Sequence, residues 1–82
     1  MRAEGIVALL KASPFVPFRF VMTDGTTRDV VHPELVLVFR TYLELAFPSR
    51  SNDGIMDRFE RCALIHIVRI EPLEREATRP TN

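Results

Sequence analysis

The sequence predicts a mainly β fold, a small barrel of five or six antiparallel strands with a capping helix at the N-terminus. Residues 18–23 alternate in polarity and run into Asp24-Gly25, a dipeptide favoured in two-residue hairpin turns. Further short apolar runs follow, separated by turn-forming residues instead of long helical periods. With 82 residues, the chain is long enough for one domain with a single core.

The first element is a short amphipathic helix over about residues 2–12. Its larger apolar side chains share one side of the helix: Ile6, Val7, Leu9 and Leu10. Ser13-Pro14 ends it, since proline cannot continue a helix. A helix this short is marginal in isolation, so we expect it to pack on an apolar surface of the barrel.

Short strands make up the rest of the predicted domain, which covers residues 1–73. They are expected at 18–23, 26–31, 35–39, 42–47, 55–63 and 67–71, all within residues 17–71. His32-Pro33-Glu34 interrupts the pattern because Pro33 cannot donate to a ladder, and "LIH" at 64–66 suits one helical turn. Residues 74–82 have little to bury, which predicts a disordered tail.

Composition excludes several classes of protein. Eleven basic and eleven acidic residues balance, so no bulk field draws the chain to nucleic acid or anionic lipid. Cys62 is the only cysteine, which rules out an intrachain disulfide and a multi-cysteine zinc site and favours a reducing compartment. The apolar run near the N-terminus is too short for a secretory or membrane segment. We therefore expect a soluble cytoplasmic protein that does not contact the membrane.

The residues capable of chemistry are scattered. His32 and His66 lie 34 positions apart, and neither has the neighbouring ligands that a metal site needs. Cys62 has no evident activating base and is expected to be a small buried hydrophobe. The serines lack a nucleophile-elbow context, and three glycines cannot build a phosphate-cradling loop. The sequence therefore predicts no enzyme, no catalytic residue, no cofactor and no metal.

A binding surface is the remaining kind of site, and arginines and aromatic residues are its candidates. Ten of the eleven basic residues are arginine, and those of the hairpin and of the C-terminal strands could converge on a face that binds phosphates. Interleaved acidic residues favour the alternative, cross-strand ion pairs on a solvated face. The six phenylalanines are assigned to the core. The candidate surface for a nucleic acid or a protein partner consists of Tyr42, His66, Arg69, Arg19 and Arg28.

Three motifs carry a first resemblance: Pro14-Phe15-Val16-Pro17-Phe18-Arg19, Asp24-Gly25 and His32-Pro33-Glu34. In these the chain resembles short uncharacterised bacterial proteins with a PFxPFR…DG…HPE pattern. The similarity covers residues 9–39 and returns at 64–71. It implies no particular chemistry, and it leaves the role of the His-Pro-Glu element open.

The order of elements carries a second resemblance, to Sm-like proteins with SH3-type barrels. It comprises an N-terminal helix, a hairpin, two further strands and a last strand after a single turn. The resemblance implies rings in which strand edges of neighbouring subunits pair, and RNA bound in pockets. Where such pockets hold their polar motifs, this chain has Thr41-Tyr42-Leu43 and Leu64-Ile65-His66, so only His66 could replace a polar pocket residue.

Three functions follow as hypotheses. The first is a non-enzymatic interaction module that forms a homo-oligomer through strand edges and binds another protein. The second is an Sm-like ring that binds single-stranded RNA, which neutral charge disfavours. The third is a small enzyme or metal protein that uses His32, His66 and Cys62. Neither the partner nor the number of subunits is encoded in a recognisable motif.

Overall fold

The computed structural model describes residues 1–73 and contains one helix and six strands. Helix α1 is followed by the strands β1 to β6, whose bounds are α1 Ala3–Lys11, β1 Phe18–Met22, β2 Thr27–Val30, β3 Val36–Val38, β4 Tyr42–Pro48, β5 Met56–Ala63 and β6 Ile67–Pro72. Two 3-10 turns, Pro33–Leu35 and Leu64–His66, precede β3 and β6. The predicted helix, strands and helical turn are confirmed. The predicted tail, 74–82, lies outside the described residues.

The strands form two antiparallel sheets of three strands each. The first sheet has the order β2-β1-β6, and the second has the order β3-β4-β5. The mainly β prediction is therefore confirmed, whereas the predicted small barrel is not confirmed, because no ladder within residues 1–73 joins the two sheets. The chain leaves β2 through His32-Pro33 and a 3-10 turn, and proline has no N–H with which to continue the ladder.

The predicted hairpin is present, but its turn is longer than the two residues predicted: the Met22 N–H donates to the Thr26 carbonyl oxygen at 2.8 Å, so Thr23, Asp24 and Gly25 form the loop. Gly25 has a φ of 87°, a region that side chains with a Cβ rarely occupy. The Asp24 carboxylate accepts hydrogen bonds from the Thr26 N–H at 2.9 Å and the Thr26 hydroxyl at 2.6 Å. The hydrogen bonds to the ionised form hold the pKa of Asp24 below its ordinary value. The turn fixes the register, in which Arg19 faces Asp29 and Phe20 faces Arg28.

The core lies between the two sheets and under α1. Phe20 from β1, Leu43 from β4 and Ile6 from α1 are its largest fully buried side chains. Burying an apolar side chain of this size stabilises the fold by about 1.5–3 kcal/mol. Helix α1 also contacts β3 and the Pro33–Leu35 turn, so it packs on an apolar surface, as predicted, and this surface is at the edge of the second sheet. No helix in the described part of the chain is long and apolar enough to cross a membrane.

Two of the six phenylalanines depart from the prediction that all six belong to the core. Phe18 and Phe20 are buried, and Phe15 and Phe47 pack against the core at its margin. Phe39 and Phe59 are 40% and 56% exposed, so the prediction is wrong for them. Phe59 is opposite Ala46 in the β4–β5 ladder and three positions before the buried Cys62. Because side chains alternate along a strand, the Phe59 ring points away from the core.

Candidate functional site

The outward surface of the second sheet carries the strongest candidate site. We call it the outer face and define it by six side chains: Leu37, Tyr42, Glu44, Ala46, Phe59 and Arg61. Leu37 of β3 is paired with Glu44 of β4, which is paired with Arg61 of β5. Because side chains alternate along a strand, these residues lie on the opposite side of the sheet from the buried Leu43 and Leu45.

An apolar groove crosses the outer face. Leu37 is 60% exposed and Phe59 is 56% exposed, and Ala46 lies between their strands. The groove has a volume of about 710 Å³. Its lining is Glu34, Leu35, Leu37, Glu44, Ala46, Met56, Asp57, Arg58 and Phe59. Exposed apolar surface rimmed by charges is typical of protein–protein contact sites.

One end of the outer face is a cluster of stacked planar groups. The rings of Phe39 and Tyr42 lie 4.6 Å apart between centroids, at an interplanar angle of 11°. The Arg61 guanidinium lies 4.7 Å from the centroid of the Tyr42 ring. Arg61 also donates to Glu44 Oε2 through Nη2 at 2.8 Å, and this hydrogen bond raises its pKa. These contacts hold the Tyr42 ring against its neighbours.

Strand β5 is an edge of this sheet. In the described part of the chain, no strand pairs with β5 on the side away from β4. Residues 56–59 are all exposed, and so is Arg61. Phe59 and Arg61 point outward, while Arg58 and Glu60 point toward the interior. Asp57 lies where the β4–β5 register shifts, and it lines the groove with Phe59.

The inward-pointing charges of β5 connect the two sheets. Arg28 of β2 donates through Nε to Glu60 Oε1 at 2.7 Å, and Arg58 Nη1 donates to Glu60 Oε2 at 3.0 Å. Arg58 also lies 4.0 Å from the centroid of the Phe47 ring. The two guanidinium groups, Arg58 first, hold the pKa of Glu60 below its ordinary value. Glu60 is thus an ion-pair bridge between two sheets that no backbone ladder joins in the part of the chain that the structure describes.

The arginines singled out from the sequence do not form one basic face. Arg19 and Arg69 lie on the outward surface of the first sheet, where Arg19 Nε pairs with Asp29 Oδ1 at 2.7 Å and Arg69 Nε pairs with Glu71 Oε2 at 2.6 Å. Arg28 is next to Asp29 in β2, so its side chain points to the opposite surface of the first sheet. The predicted cross-strand ion pairs are present at Arg19 and Asp29.

The other two predicted site residues lie elsewhere. Tyr42 belongs to the outer face of the second sheet. His66 is exposed at the end of its 3-10 turn, and its carbonyl oxygen accepts a hydrogen bond from the Thr23 N–H at 2.8 Å. The five predicted residues therefore occupy separate surfaces, and their role in binding stays a prediction.

The residues considered for chemistry are also separate. His32 Nδ1 lies 3.8 Å from Glu34 Oε2, and both side chains are exposed. Within residues 1–73, no three or more His, Cys, Asp and Glu side chains are arranged to hold a metal ion. Cys62 is buried, as predicted for a small hydrophobe, and burial raises the pKa of its thiol.

Sequence reasoning missed Phe59 and Leu37, the two apolar side chains that define the groove. A signal for Phe59 was present: Cys62 belongs to the inward set of β5, and Phe59 is three positions earlier, so an unbroken strand places it on the opposite side. Leu37 gave no such signal, because the run "LVLVF" is apolar at every position.

Comparison with known proteins adds no family to this geometry. No protein-family model matches the chain, and no curated protein or solved structure is significantly similar to it. The pattern shared with short bacterial proteins and the likeness to Sm-like proteins therefore stay predictions from the sequence.

Proposed function

We propose that this protein is a non-enzymatic interaction module that self-associates through strand edges and offers the outer face to a protein partner. One observation carries the proposal: within residues 1–73, β5 is paired only on its β4 side, and it carries a phenylalanine exposed beside an apolar groove. Edge strands present free backbone N–H and C=O groups, which a strand from another chain can pair. Strand pairing of this kind aligns side chains as well, so it gives specificity together with affinity.

The proposal includes the small-barrel architecture in a looser form. The two sheets would correspond to the two halves of an SH3-like or Sm-like fold that stays open between β5 and β6. Support comes from the order of the elements, with a helix first, a hairpin next and a 3-10 turn before the last strand. In such a fold the exposed side of β6, including Val68, is a second edge available for pairing. A reducing cytoplasm suits its single, buried cysteine.

The alternative, an Sm-like ring that binds RNA, has less support from the charges. Within residues 1–73, every arginine except Arg50 has a side-chain nitrogen within 4.0 Å of a carboxylate oxygen: Arg2, Arg19, Arg28, Arg40, Arg58, Arg61 and Arg69. Phosphate binding would have to compete with these carboxylates. Tyr42, the aromatic residue of the candidate surface, already lies against Phe39 and Arg61.

Native mass spectrometry of the full chain, purified without nuclease treatment, tests both functions in one spectrum. We expect an oligomer without nucleotide mass. A monomer at concentrations up to tens of micromolar, confirmed by sedimentation equilibrium, would overturn self-association. A ring that carries nucleotide mass, together with salt-sensitive binding of oligonucleotides, would favour the RNA alternative.

The variant Val68→Pro locates the edge that is used. Proline removes a backbone N–H and blocks strand pairing. If the oligomer forms through β6, this variant dissociates. If the oligomer forms through β5, it keeps its mass, provided that circular dichroism shows the variant to be folded.

A further inference from the structure

Strand β5 has a charge pattern that is complementary to itself when the strand is reversed. Residues 57–61 read Asp-Arg-Phe-Glu-Arg, so acidic and basic side chains occupy mirrored positions on either side of Phe59. Resting on the proposed self-association, we propose that β5 pairs antiparallel with β5 of a second copy, centred on Phe59. The result is a two-fold symmetric dimer in which the β3-β4-β5 sheets join into one sheet of six strands.

The pleat of the sheet restricts the possible registers. Outward side chains must lie opposite outward side chains, so the numbers of two opposed residues must sum to an even value. A two-fold axis then places one residue of β5 opposite its own copy. The question is which residue lies at that centre, and only positions 57–61 give a pairing of useful length on the exposed part of the strand.

The register centred on Phe59 places every charged residue of 57–61 opposite one of the other sign, in addition to the ion pairs that Arg58, Glu60 and Arg61 make within their own chain. Phe59 lies opposite the partner's Phe59 on the outward side. Arg58 lies opposite the partner's Glu60 on the inward side, and Asp57 lies opposite the partner's Arg61. Each charged pair occurs twice because of the symmetry, which gives four attractive pairs around one aromatic pair. Opposite charges and aromatic rings in directly opposed positions stabilise antiparallel strands.

The neighbouring registers in which opposed residue numbers also sum to an even value place like charges opposite each other. A centre at Arg58 opposes two arginines, and a centre at Glu60 opposes two glutamates. Centres at Asp57 and Arg61 give the same kind of repulsion. Like charges directly opposed destabilise a strand pair, so the charge pattern selects Phe59 as the centre.

The surroundings of β5 fit this partner. Asp57 takes part in none of the ion pairs found within residues 1–73, and the partner's Arg61 would supply its counter-ion. The exposed Phe59 ring would be covered at the centre of the interface, where aromatic residues contribute most to binding. The bulge at Asp57 ends the regular part of the strand at that residue, so the pair of Asp57 with the partner's Arg61 is the outermost one and the contact is short.

Charge reversal with mixing tests the pairing. Asp57→Arg places Arg opposite the partner's Arg61 twice, and Arg61→Asp places Asp opposite the partner's Asp57 twice. Each variant alone should dimerise about tenfold or more weakly than the wild type in sedimentation equilibrium. An equimolar mixture restores both opposite-charge pairs and should form heterodimers, visible by native mass spectrometry. Glu4→Arg makes the same change in charge on α1, away from β5 and the groove, and should leave the dimer intact.

Cross-linking tests the register itself. Directly opposed residues of an antiparallel pair have Cα atoms about 4.5–5.5 Å apart, within the range that a disulfide spans. In a Cys62→Ser background, Phe59→Cys should therefore give a disulfide-linked dimer when copper-phenanthroline and oxygen oxidise the two thiols, the oxygen taking up both electrons and both protons. Ile55→Cys, displaced from the axis in this register, should stay uncross-linked.

The outcomes separate this inference from the broader proposal. A wild-type monomer overturns both. A wild-type oligomer that Val68→Pro dissociates and Asp57→Arg does not overturns only the pairing through β5. Equal cross-linking of the Phe59→Cys and Ile55→Cys variants overturns the register. Dimers weakened by each single reversal and restored by mixing establish the pairing.

Discussion

Two phenylalanines of this chain should respond very differently to truncation. Phe20 is fully buried, and its ring meets the Phe18 ring edge-on at 5.2 Å between centroids. Phe20→Ala should therefore cost about 3–5 kcal/mol in the free energy of unfolding, the usual range for removing a buried ring. A domain of this size unfolds with only about 4–12 kcal/mol, so the variant would be close to unfolded.

Phe59→Ala is the matched control, since it removes the same atoms from a ring that is more than half exposed. Full burial of such a ring is worth about 1.5–3 kcal/mol, so the covered part accounts for about 1 kcal/mol. Urea titrations followed by circular dichroism measure both costs. They are made at two low protein concentrations, because any self-association through β5 would add a concentration-dependent term. Equal costs for the two variants would refute the placement of Phe59 outside the core.

Three further outcomes are expected. Gly25→Ala should destabilise the protein by about 1–2 kcal/mol because of the positive φ at that position. Gly5→Ala in α1 should stabilise it by about 0.5–1 kcal/mol, since alanine favours a helix more than glycine does. Neither added Cβ meets an atom within 4 Å, so thermal melts of the two variants compare the backbone effects alone. Arginine partners lower the pKa of Asp29 and Glu60 from their ordinary values of 3.8 and 4.5, so the stability that the two ion pairs add is complete above those values and is lost as the pH falls through the lower folded-state pKa. Denaturant titrations across that acidic range should show a shallower loss of unfolding free energy with falling pH for Glu60→Gln than for the wild type. The same dependence on pH in both proteins would contradict the ion-pair bridge. Cys62 should react with a thiol reagent far more slowly in the folded protein than in denaturant, since its thiol is buried and its pKa is raised; equal rates would contradict its burial.

Local patterns predicted the elements of this fold well. The hairpin followed from alternation and Asp24-Gly25, and the strand break at His32-Pro33 followed from the missing N–H of proline. Helix α1 was located by its apolar side and by Ser13-Pro14. Each of these signals acts over a few neighbouring residues, so the sequence alone contains it.

Pairing between distant strands was harder to predict. Whether β2, β3, β5 and β6 close into a barrel depends on long-range ladders, which leave no local mark in the sequence. The ion-pair bridge from Arg28 to Glu60 joins residues 32 positions apart, and it emerges only once both ladder registers are known. The groove was missed for the same reason, since Leu37 and Phe59 share a face only through β4.

The proposed pairing also accounts for a tension within β5. An exposed edge strand that carries a phenylalanine invites non-specific aggregation, and proteins commonly prevent this with charged side chains and bulges. Here the charged residues Arg58, Glu60 and Arg61 flank Phe59 along the strand, and a bulge interrupts the strand at Asp57. These charges destabilise every nearby register except the one centred on Phe59, so the same residues that discourage non-specific aggregation would specify the dimer. If so, neutralising Arg58 and Arg61 together should broaden self-association into larger species rather than abolish it. Analytical ultracentrifugation of the Arg58→Gln/Arg61→Gln double variant would measure that distribution, and a clean monomer would show that the charges attract without excluding other registers.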